Sequence, residues 1–215
     1  MSKVVFVLGP PGCGKGTQCA LLSERLGVPH ISTGDALRDE ISAGTELGMK
    51  IAHAFHQGEL MESADVLQVV RSRLQKPDCK NGVLLDGAAR KIEEAQNYLD
   101  SGLLTDLIWM NMPDRVCKSR VANRVVDPET KLAYNLESNP PPLDIADRCV
   151  RRKMDADIDG RLEIFHKTTK PVFLLVEDHP EARLHTLMLE DENIEDVYVR
   201  MKRLLKRDVN FGPAQ

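Results

Sequence analysis

Gly9-Pro10-Pro11-Gly12-Cys13-Gly14-Lys15-Gly16-Thr17 is the stretch that decides the fold of this chain. It follows the apolar run Val4 to Leu8, which predicts a buried strand, and it leads into a segment with apolar residues at helical spacing. Glycines in such a turn let backbone N–H groups converge on an anion, and the following helix directs its positive end at the same point. With the charge of Lys15 added, this order of strand, turn and helix predicts a site for a nucleotide polyphosphate.

The spacing within this turn departs from the usual phosphate-binding pattern, G-x-x-x-x-G-K-[ST]. Gly16 follows Lys15, and the hydroxyl group comes one position later, at Thr17. We therefore expect Thr17 to bond a phosphate directly or a metal ion through water. An ordinary glycine turn is the alternative, but such a turn has no need of a lysine and a threonine at these positions.

The length and composition limit the classes of protein to which this chain can belong. The 215 residues suit a single α/β domain, and the net charge of −4 argues against non-specific attraction to nucleic acid or an anionic membrane. Five cysteines without a C-x-x-C pair suggest neither a disulfide framework nor a four-cysteine zinc site. Because we find no signal peptide and no apolar run of about 20 residues, we expect a soluble cytoplasmic protein.

Strands and helices alternate along the chain. Short apolar runs predict five strands, at 4–8, 83–85, 107–112, 171–176 and 184–189. We expect 28–32 to be extended, Thr33 to cap a helix, and 33–74 to form several short helices. This alternation predicts an α/β fold of three layers, in which a five-stranded parallel sheet carries helices on both faces.

Charged residues mark possible binding sites on this fold. Asp86 follows the predicted strand 83–85, and ligands of open α/β sheets bind at such carboxyl ends. Arg120 and Arg124 are four residues apart on a helix opened by Pro113, so they are predicted to share a face. Two guanidinium groups placed in this way would repel each other unless an anion lay between them. The next residues, from about 125 to 154, lose periodicity and predict a long, turn-rich loop, of a length that is usually either functional or disordered.

The sequence resembles the adenylate kinases, within the nucleoside monophosphate kinase family, from Val4 to about Leu205. The matching segments come in the same order and are 9–18, 32–38, 58–60, Leu85-Asp86-Gly87 with Arg90, Arg120-x-x-x-Arg124, Tyr134 with 139–141, Arg161-Leu162 and Thr169-x-Pro171. The resemblance is to the long-lid type without zinc. It implies a single P-loop nucleotide kinase domain over 1–215, with a helical acceptor-binding insertion at 30–62 and a lid at 125–153.

The resemblance implies reversible phosphoryl transfer from ATP to AMP, giving two ADP, with Mg²⁺ as cofactor. A kinase for another monophosphate (GMP, CMP or UMP) and a nucleotide-binding regulatory protein without transferase activity remain as alternatives. The presence of Arg90, Arg120 and Arg124 favours catalysis, because a protein that only binds a nucleotide has no need of them. We expect no nucleic-acid or membrane partner, and we expect a monomer.

The resemblance also implies a role for individual residues. ATP would be bound by Gly9, Gly12, Cys13, Gly14, Lys15, Gly16, Thr17 and Arg120. The acceptor would be bound by Thr33, Gly34, Arg38, Glu59, Leu60, Gly87, Arg90 and Glu94. The catalytic residues would be Lys15, Arg90, Arg120, Arg124, Arg152 and Arg161. Mg²⁺ would be held through water by Thr17 and Asp86.

Departures from the family pattern fall on the acceptor side and in the lid. Ala88-Ala89 replaces an aromatic-proline pair, and Glu94 replaces the glutamine that reads adenine. A carboxylate only accepts hydrogen bonds, so if Glu94 faces the base, Glu94→Gln should favour AMP over GMP by about tenfold. Alternatively, Glu94 points to solvent and another group reads the base. In the lid region, the segment between Pro142 and Arg161 is shorter than in long-lid relatives, and their adjacent aspartate pair is rearranged into Asp155-Ala156-Asp157-Ile158-Asp159. Arg148, Arg151 and Arg152 are therefore the choices for the lid arginine, and we favour Arg152.

Overall fold

The computed structural model describes residues 3–57, 62–130 and 132–208. The strands of the main sheet are β1 Val4–Leu8, β2 His30–Ser32, β3 Val83–Asp86, β4 Asp106–Asn111 and β7 Arg183–Met188. A separate two-stranded sheet is formed by β5 Arg124–Val126 and β6 Ala133–Asn135. The α-helices are α1 Lys15–Leu26, α2 Thr33–Ser42, α3 Glu46–Gln57, α4 Ser63–Leu74, α5 Ile92–Asp100, α6 Asp114–Ala122, α7 Ile158–Ile164, α8 Lys170–Glu177 and α9 Ile194–Asp208.

The main sheet has the strand order β2-β3-β1-β4-β7, and every neighbouring pair is parallel. The prediction of a five-stranded parallel sheet is therefore confirmed. The chain runs from β1 to the edge strand β2, back to β3 beside β1, and then across to β4 on the other side of β1. The strand order thus reverses at β1, and ligands of open α/β sheets bind at such a reversal.

Alternate residues of β1 face two different cores. Phe6 packs in a core built with α2, α4, α5 and α8, whereas Val5 and Val7 pack in a second core with α1, α6 and α9. A parallel sheet that is covered on both faces becomes apolar along its whole central strand, as Val4–Leu8 is. The three-layer arrangement is confirmed. None of the helices in the described residues is both long and apolar enough to cross a membrane.

The strand predicted at 171–176 is wrong, because these residues lie in α8. A short apolar run does not by itself distinguish a strand from a buried helix. Val172 and Val176 are buried at a spacing of four, while Leu174 between them is 60% exposed, so the segment has a helical period. Pro171 lies in the first turn, where its missing N–H is not needed. The fifth strand of the sheet is β2.

The prediction of several short helices between residues 33 and 74 is confirmed by α2, α3 and α4. The expected cap is displaced by one residue, because Ser32 occupies the N-cap position and Thr33 is already the first helical residue. The extended run predicted at 28–32 contains β2, and pairing with β3 is what makes it a strand.

The segment expected to be an irregular loop from 125 to about 154 contains regular structure. β5 and β6 pair antiparallel, and Val126 also bridges to Val150. Asp127 is fully buried between them and accepts hydrogen bonds from Arg148 at 2.7 Å and from Thr130 at 2.8 Å. Val126 and Val150, and likewise Asp127 and Arg148, are more than 20 residues apart in sequence, and local periodicity does not indicate contacts at that separation.

Asp106 is a fully buried carboxylate at the amino end of β4. It accepts a hydrogen bond from Thr105 at 2.9 Å and forms ion pairs with Lys3, with Arg183 at 2.9 Å and with His185 at 3.3 Å. Burial raises the pKa of Asp106, but the hydrogen bonds from His185, Lys3 and Arg183 outweigh burial and hold the pKa well below its ordinary value. The cluster therefore stabilises the folded state through the ionised carboxylate.

We expect Asp106→Asn to lower the free energy of unfolding by about 1–3 kcal/mol at pH 7, because it removes hydrogen bonds to a buried charge. A depressed pKa contributes stability above the unfolded-state pKa, about 3.9, and that stability is lost as the pH falls below it. Urea unfolding at pH 7 and at about pH 3 should therefore show the difference between wild type and variant shrinking in acid. A constant difference would contradict the role of the charge.

Candidate active site

The turn after β1 fits closely against α6. Gly12 has a φ of +92°, and a Cβ atom there would lie 2.7 Å from the Cys117 carbonyl oxygen and 2.8 Å from Val121 Cγ2. Gly14 is the N-cap of α1 with a φ of +95°, and no side chain among the described residues caps this helix. Glycine is therefore required at both positions. The first N–H groups of α1 are left for an anion at its positive end.

Lys15 is held within the same turn by backbone carbonyl groups. Its Nζ donates to the carbonyl oxygens of Gly9 at 2.7 Å and Pro10 at 2.9 Å, and it lies 3.7 Å from Cys13 Sγ. The first turn of α1 also carries Thr17, which is half-buried. The turn thus gathers a full positive charge, open amides and a hydroxyl group at the carboxyl end of the central strand.

Asp86 lies at the carboxyl end of β3, in register with Val7 of β1. Its Oδ2 would be 3.6 Å from a Cβ atom at Gly16, so it adjoins the phosphate-binding turn. Burial raises the pKa of Asp86. His30 and the charges of Lys15 and Arg90 together outweigh burial, so the pKa lies below its ordinary value. An ionised carboxylate and the hydroxyl group of the adjoining turn supply oxygen ligands, which Mg²⁺ prefers, so these residues fit that ion.

A group of arginines converges beside these residues. Arg124 donates from Nε to Asp155 at 2.8 Å and from a second nitrogen to the other oxygen, and Arg161 donates to Asp155 at 2.8 Å. Asp155 is itself only 7% exposed. One buried carboxylate therefore orients two guanidinium groups in the same place.

Charge effects link three further arginines to this pair. Desolvation lowers the pKa of Arg152, and so do the charges of Arg124 and Arg38. Desolvation likewise lowers the pKa of Arg161, together with the charges of Arg124 and Arg90. The positive charges of neighbouring arginines thus act against the charged forms of Arg152 and Arg161, and a polyanion bound among the five arginines would stabilise the group.

The comparisons with known proteins agree with this geometry. A family model described as adenylate kinase matches residues 7–180. The chain belongs to the adenylate kinase family. An adenylate kinase from Kosmotoga olearia is 36% identical over 189 residues, which cover 81% of this chain and 87% of that protein. Membership of the family confirms the P-loop kinase fold and a phosphotransferase of the nucleoside monophosphate kinase type.

The prediction that Arg120 and Arg124 share a helix face is wrong in this member of the adenylate kinase family. The helix α6 ends at Ala122, and Arg124 begins β5. Arg120 instead donates to the Glu192 carbonyl oxygen at 2.8 Å, and one of its nitrogens would lie 3.9 Å from a Cβ atom at Gly14. Arg120 thus adjoins the phosphate-binding turn, while Arg124 joins the arginine group around Asp155.

The three candidates for the lid arginine of the family have different surroundings. Arg148 is bound to Asp127 at 2.7 Å and to Glu129 at 2.5 Å, and Arg151 donates to the Ala122 carbonyl oxygen. The side chain of Arg152 makes no hydrogen bond or ion pair with any of the described residues, and the nearby charge of Arg124 helps to lower its pKa. The geometry therefore favours Arg152, whose role stays a prediction.

The residues expected to bind the acceptor in this family lie on α2 and after β3. Thr33 Oγ1 is buried without a hydrogen-bond partner among the described residues, and Arg38 pairs with Asp35 beside Gly34. At Gly87, where φ is +81°, a Cβ atom would clash with the Arg90 guanidinium group. These positions stay predictions as acceptor contacts. Glu59 and Leu60 lie outside the described residues.

Glu94 takes neither of the two orientations considered from the sequence. Its Oε1 accepts from the Ala89 N–H and its Oε2 from the Arg90 N–H, both at 3.0 Å. Ala89 has a positive φ of 58°, which is unusual for a residue other than glycine. Burial raises the pKa of Glu94. Both oxygens are bound to the backbone, so the geometry favours a role in shaping the turn that carries Arg90.

Sequence reasoning missed Asp155 and His30 as members of the site. Asp155 is 31 residues from Arg124, and no spacing rule connects the two positions. His30 Nε2 lies 3.5 Å from Asp86 Oδ2 because β2 and β3 are paired, and that pairing was not predicted. The run Asp155-Ala156-Asp157-Ile158-Asp159, a rearranged form of an aspartate pair in the family pattern, was the signal available for Asp155.

Proposed function

We propose that this chain catalyses Mg²⁺-dependent transfer of a phosphoryl group from ATP to AMP, giving two ADP. One observation carries the proposal: Asp86 is close enough to both Lys15 and Arg90 for their charges to lower its pKa. Lys15 belongs to the ATP side by its place in the turn, and Arg90 to the acceptor side by resemblance to the family. The phosphate-binding groups of the donor side and of the acceptor side would therefore both lie close to Asp86.

Phosphoryl transfer depends on in-line positioning and on stabilising charge that spreads over the moving group. Lys15 and the amides of its turn would hold the donor phosphates, and Arg38 and Arg90 would hold the acceptor phosphate. Arg124, Arg152 and Arg161 would stabilise the group in transit. Bound Mg²⁺ would supply further neutralisation of the phosphates, and Asp86 with Thr17 would orient it through water.

Asp155 supports this assignment as a positioning residue. By holding Arg124 and Arg161 together, it reduces the conformational entropy that either arginine loses when it grips the substrate. Residues 125–153 act as the lid and 30–62 as the acceptor insertion in this proposal. The charge of Arg38, in the acceptor insertion, lowers the pKa of Arg152, in the lid. This effect supports the proposal, because it requires the two side chains to lie near each other.

We further propose that the protein works as a cytoplasmic monomer. All five of its cysteines are free thiols, and four of them are buried. Free thiols are typical of a reducing compartment.

Assays with AMP, GMP, CMP and UMP in turn test the proposed acceptor. We expect the highest kcat/KM with AMP. Transfer to another monophosphate alone would contradict AMP, and transfer to none would support the regulatory alternative.

Glu94→Gln in the same assay separates the two roles of Glu94. A glutamine can accept from only one of the N–H groups of Ala89 and Arg90 and places an NH₂ group against the other. We therefore expect kcat/KM to fall about tenfold for every acceptor, with the AMP-to-GMP ratio unchanged. Glu93→Gln, at the exposed neighbouring position, is the matched control and should behave as wild type. A tenfold rise in the ratio would instead mean that Glu94 reads the base.

A further inference from the structure

Cys19, His30 and Asp86 form a cluster of three different ligand types behind the phosphate-binding turn. One ligand atom from each residue lies within 4.8 Å of the others. Cys19 is on α1, His30 begins β2 and Asp86 ends β3. His30 is in register with Leu84, two residues before Asp86, so both side chains project from the same face of the sheet, the face that α1 covers.

Two of these groups, His30 Nε2 and the Cys19 thiol, have no strong partner among the described residues. His30 Nε2 is buried without a hydrogen bond to any described residue, and its nearest acceptor is Asp86 Oδ2 at 3.5 Å. Cys19 is fully buried and is a free thiol. A buried polar nitrogen without a partner usually has a ligand that completes it. The position of this nitrogen between a thiol and a carboxylate indicates a cation as that ligand.

The chemistry of the cluster selects among cations. Sulfur and imidazole ligands favour Zn²⁺ over Mg²⁺, which prefers oxygen. In a tetrahedral zinc site the ligand atoms would be about 3.3–3.6 Å apart. His30 Nε2 and Asp86 Oδ2, at 3.5 Å, already have this spacing, and no pair in the cluster is more than 4.8 Å apart. A thiolate and a carboxylate balance the two charges of the ion, which suits a partly buried site.

We propose that Cys19, His30 and Asp86 bind a soft divalent cation, represented by Zn²⁺, with water as the fourth ligand. The side chains of His30 and Asp86 are 22% and 16% exposed, which gives the ion a path from the side of the turn.

Titration of the full chain with Co²⁺, without nucleotide, tests the site, because Co²⁺ substitutes for Zn²⁺ and absorbs light through its bond to a thiolate. We expect one equivalent to produce a thiolate-to-cobalt band that Zn²⁺ then abolishes. Cys19→Ser should remove the band, and His30→Gln should weaken binding at least about tenfold. Cys117→Ser is the matched control, because Cys117 is an equally buried free thiol outside the cluster.

The proposal is overturned if wild type gives no band, if the band survives in Cys19→Ser, or if His30→Gln binds as tightly as wild type. If only Cys117→Ser lost the band, the thiolate ligand would be Cys117 and not Cys19, and the proposed site would be wrong. Because His30→Gln retains Cys19, it still tests the site if Cys19→Ser does not fold. Thermal unfolding of each variant identifies such a failure.

Zinc binding would also withdraw Asp86 from Mg²⁺, a consequence that rests on the proposed function. We expect Zn²⁺ to inhibit phosphoryl transfer by wild type at concentrations at least about tenfold below those that inhibit Cys19→Ser. Binding without this inhibition would uphold the zinc site and contradict the proposed role of Asp86. The cobalt titration does not depend on activity, so the two ideas fail independently.

Discussion

Lys15→Met is expected to lower kcat by about 100- to 1,000-fold and to leave the fold intact. The ammonium group lies among the carbonyl oxygens of its own turn, where its charge can act on phosphates bound by the α1 amides. Methionine keeps the length of the side chain and removes the charge. A coupled assay with ATP and AMP measures the loss, and thermal unfolding checks the fold.

Lys118→Met is the matched control for this variant. Lys118 lies on α6, its side chain is 49% exposed, and it pairs with Asp159 at the surface. Such a pair contributes about 0–1 kcal/mol to stability, so we expect near-normal activity. If Lys15→Met retained more than about a tenth of wild-type kcat with any monophosphate, Lys15 would not belong to the donor site.

Arg124→Ala is expected to lower kcat by about 1,000-fold while KM for AMP changes less than about threefold. Arg124 is oriented by both oxygens of the buried Asp155, together with Arg161, so its charge is fixed before the substrate arrives. A charge in this position acts mainly when negative charge redistributes during transfer. Steady-state kinetics with varied AMP separate kcat from KM.

Arg25→Ala serves as the control for loss of an arginine. Arg25 lies on α1, pairs with Glu195 at the surface and covers the ring of Tyr198 at 4.3 Å, away from the arginine group. We expect its kcat to remain near that of wild type. If Arg124→Ala instead raised KM and left kcat unchanged, Arg124 would contribute to ground-state binding and not to the transition state.

The acceptor side illustrates how local sequence can mislead. Glu94 replaces a glutamine in the family pattern, and the substitution suggested a change in the base that is read. In the structure its carboxylate binds the N–H groups of Ala89 and Arg90. Ala88-Ala89 also replaces the aromatic-proline pair of the family pattern, so this turn lacks a proline. The carboxylate of Glu94 supports the turn instead, and the two departures are therefore understood only together.

Features that depend on local chemistry could be read from the order of the residues alone. The strand Val4–Leu8, the glycine turn and Lys15 could be identified because backbone freedom, charge and apolar periodicity act over a few residues. The parallel sheet followed from the alternation of strands and helices. The family could be recognised because several such segments occur in order.

Contacts between distant residues became known only from the folded chain. It made 171–176 a helix, because burial at a spacing of four is visible only once the neighbours are present. It also placed Arg124 outside α6 and against Asp155, and it brought Cys19, His30 and Asp86 together. These contacts join residues from separate elements, and their energies depend on distance and burial in the folded chain, which spacing along a sequence does not encode.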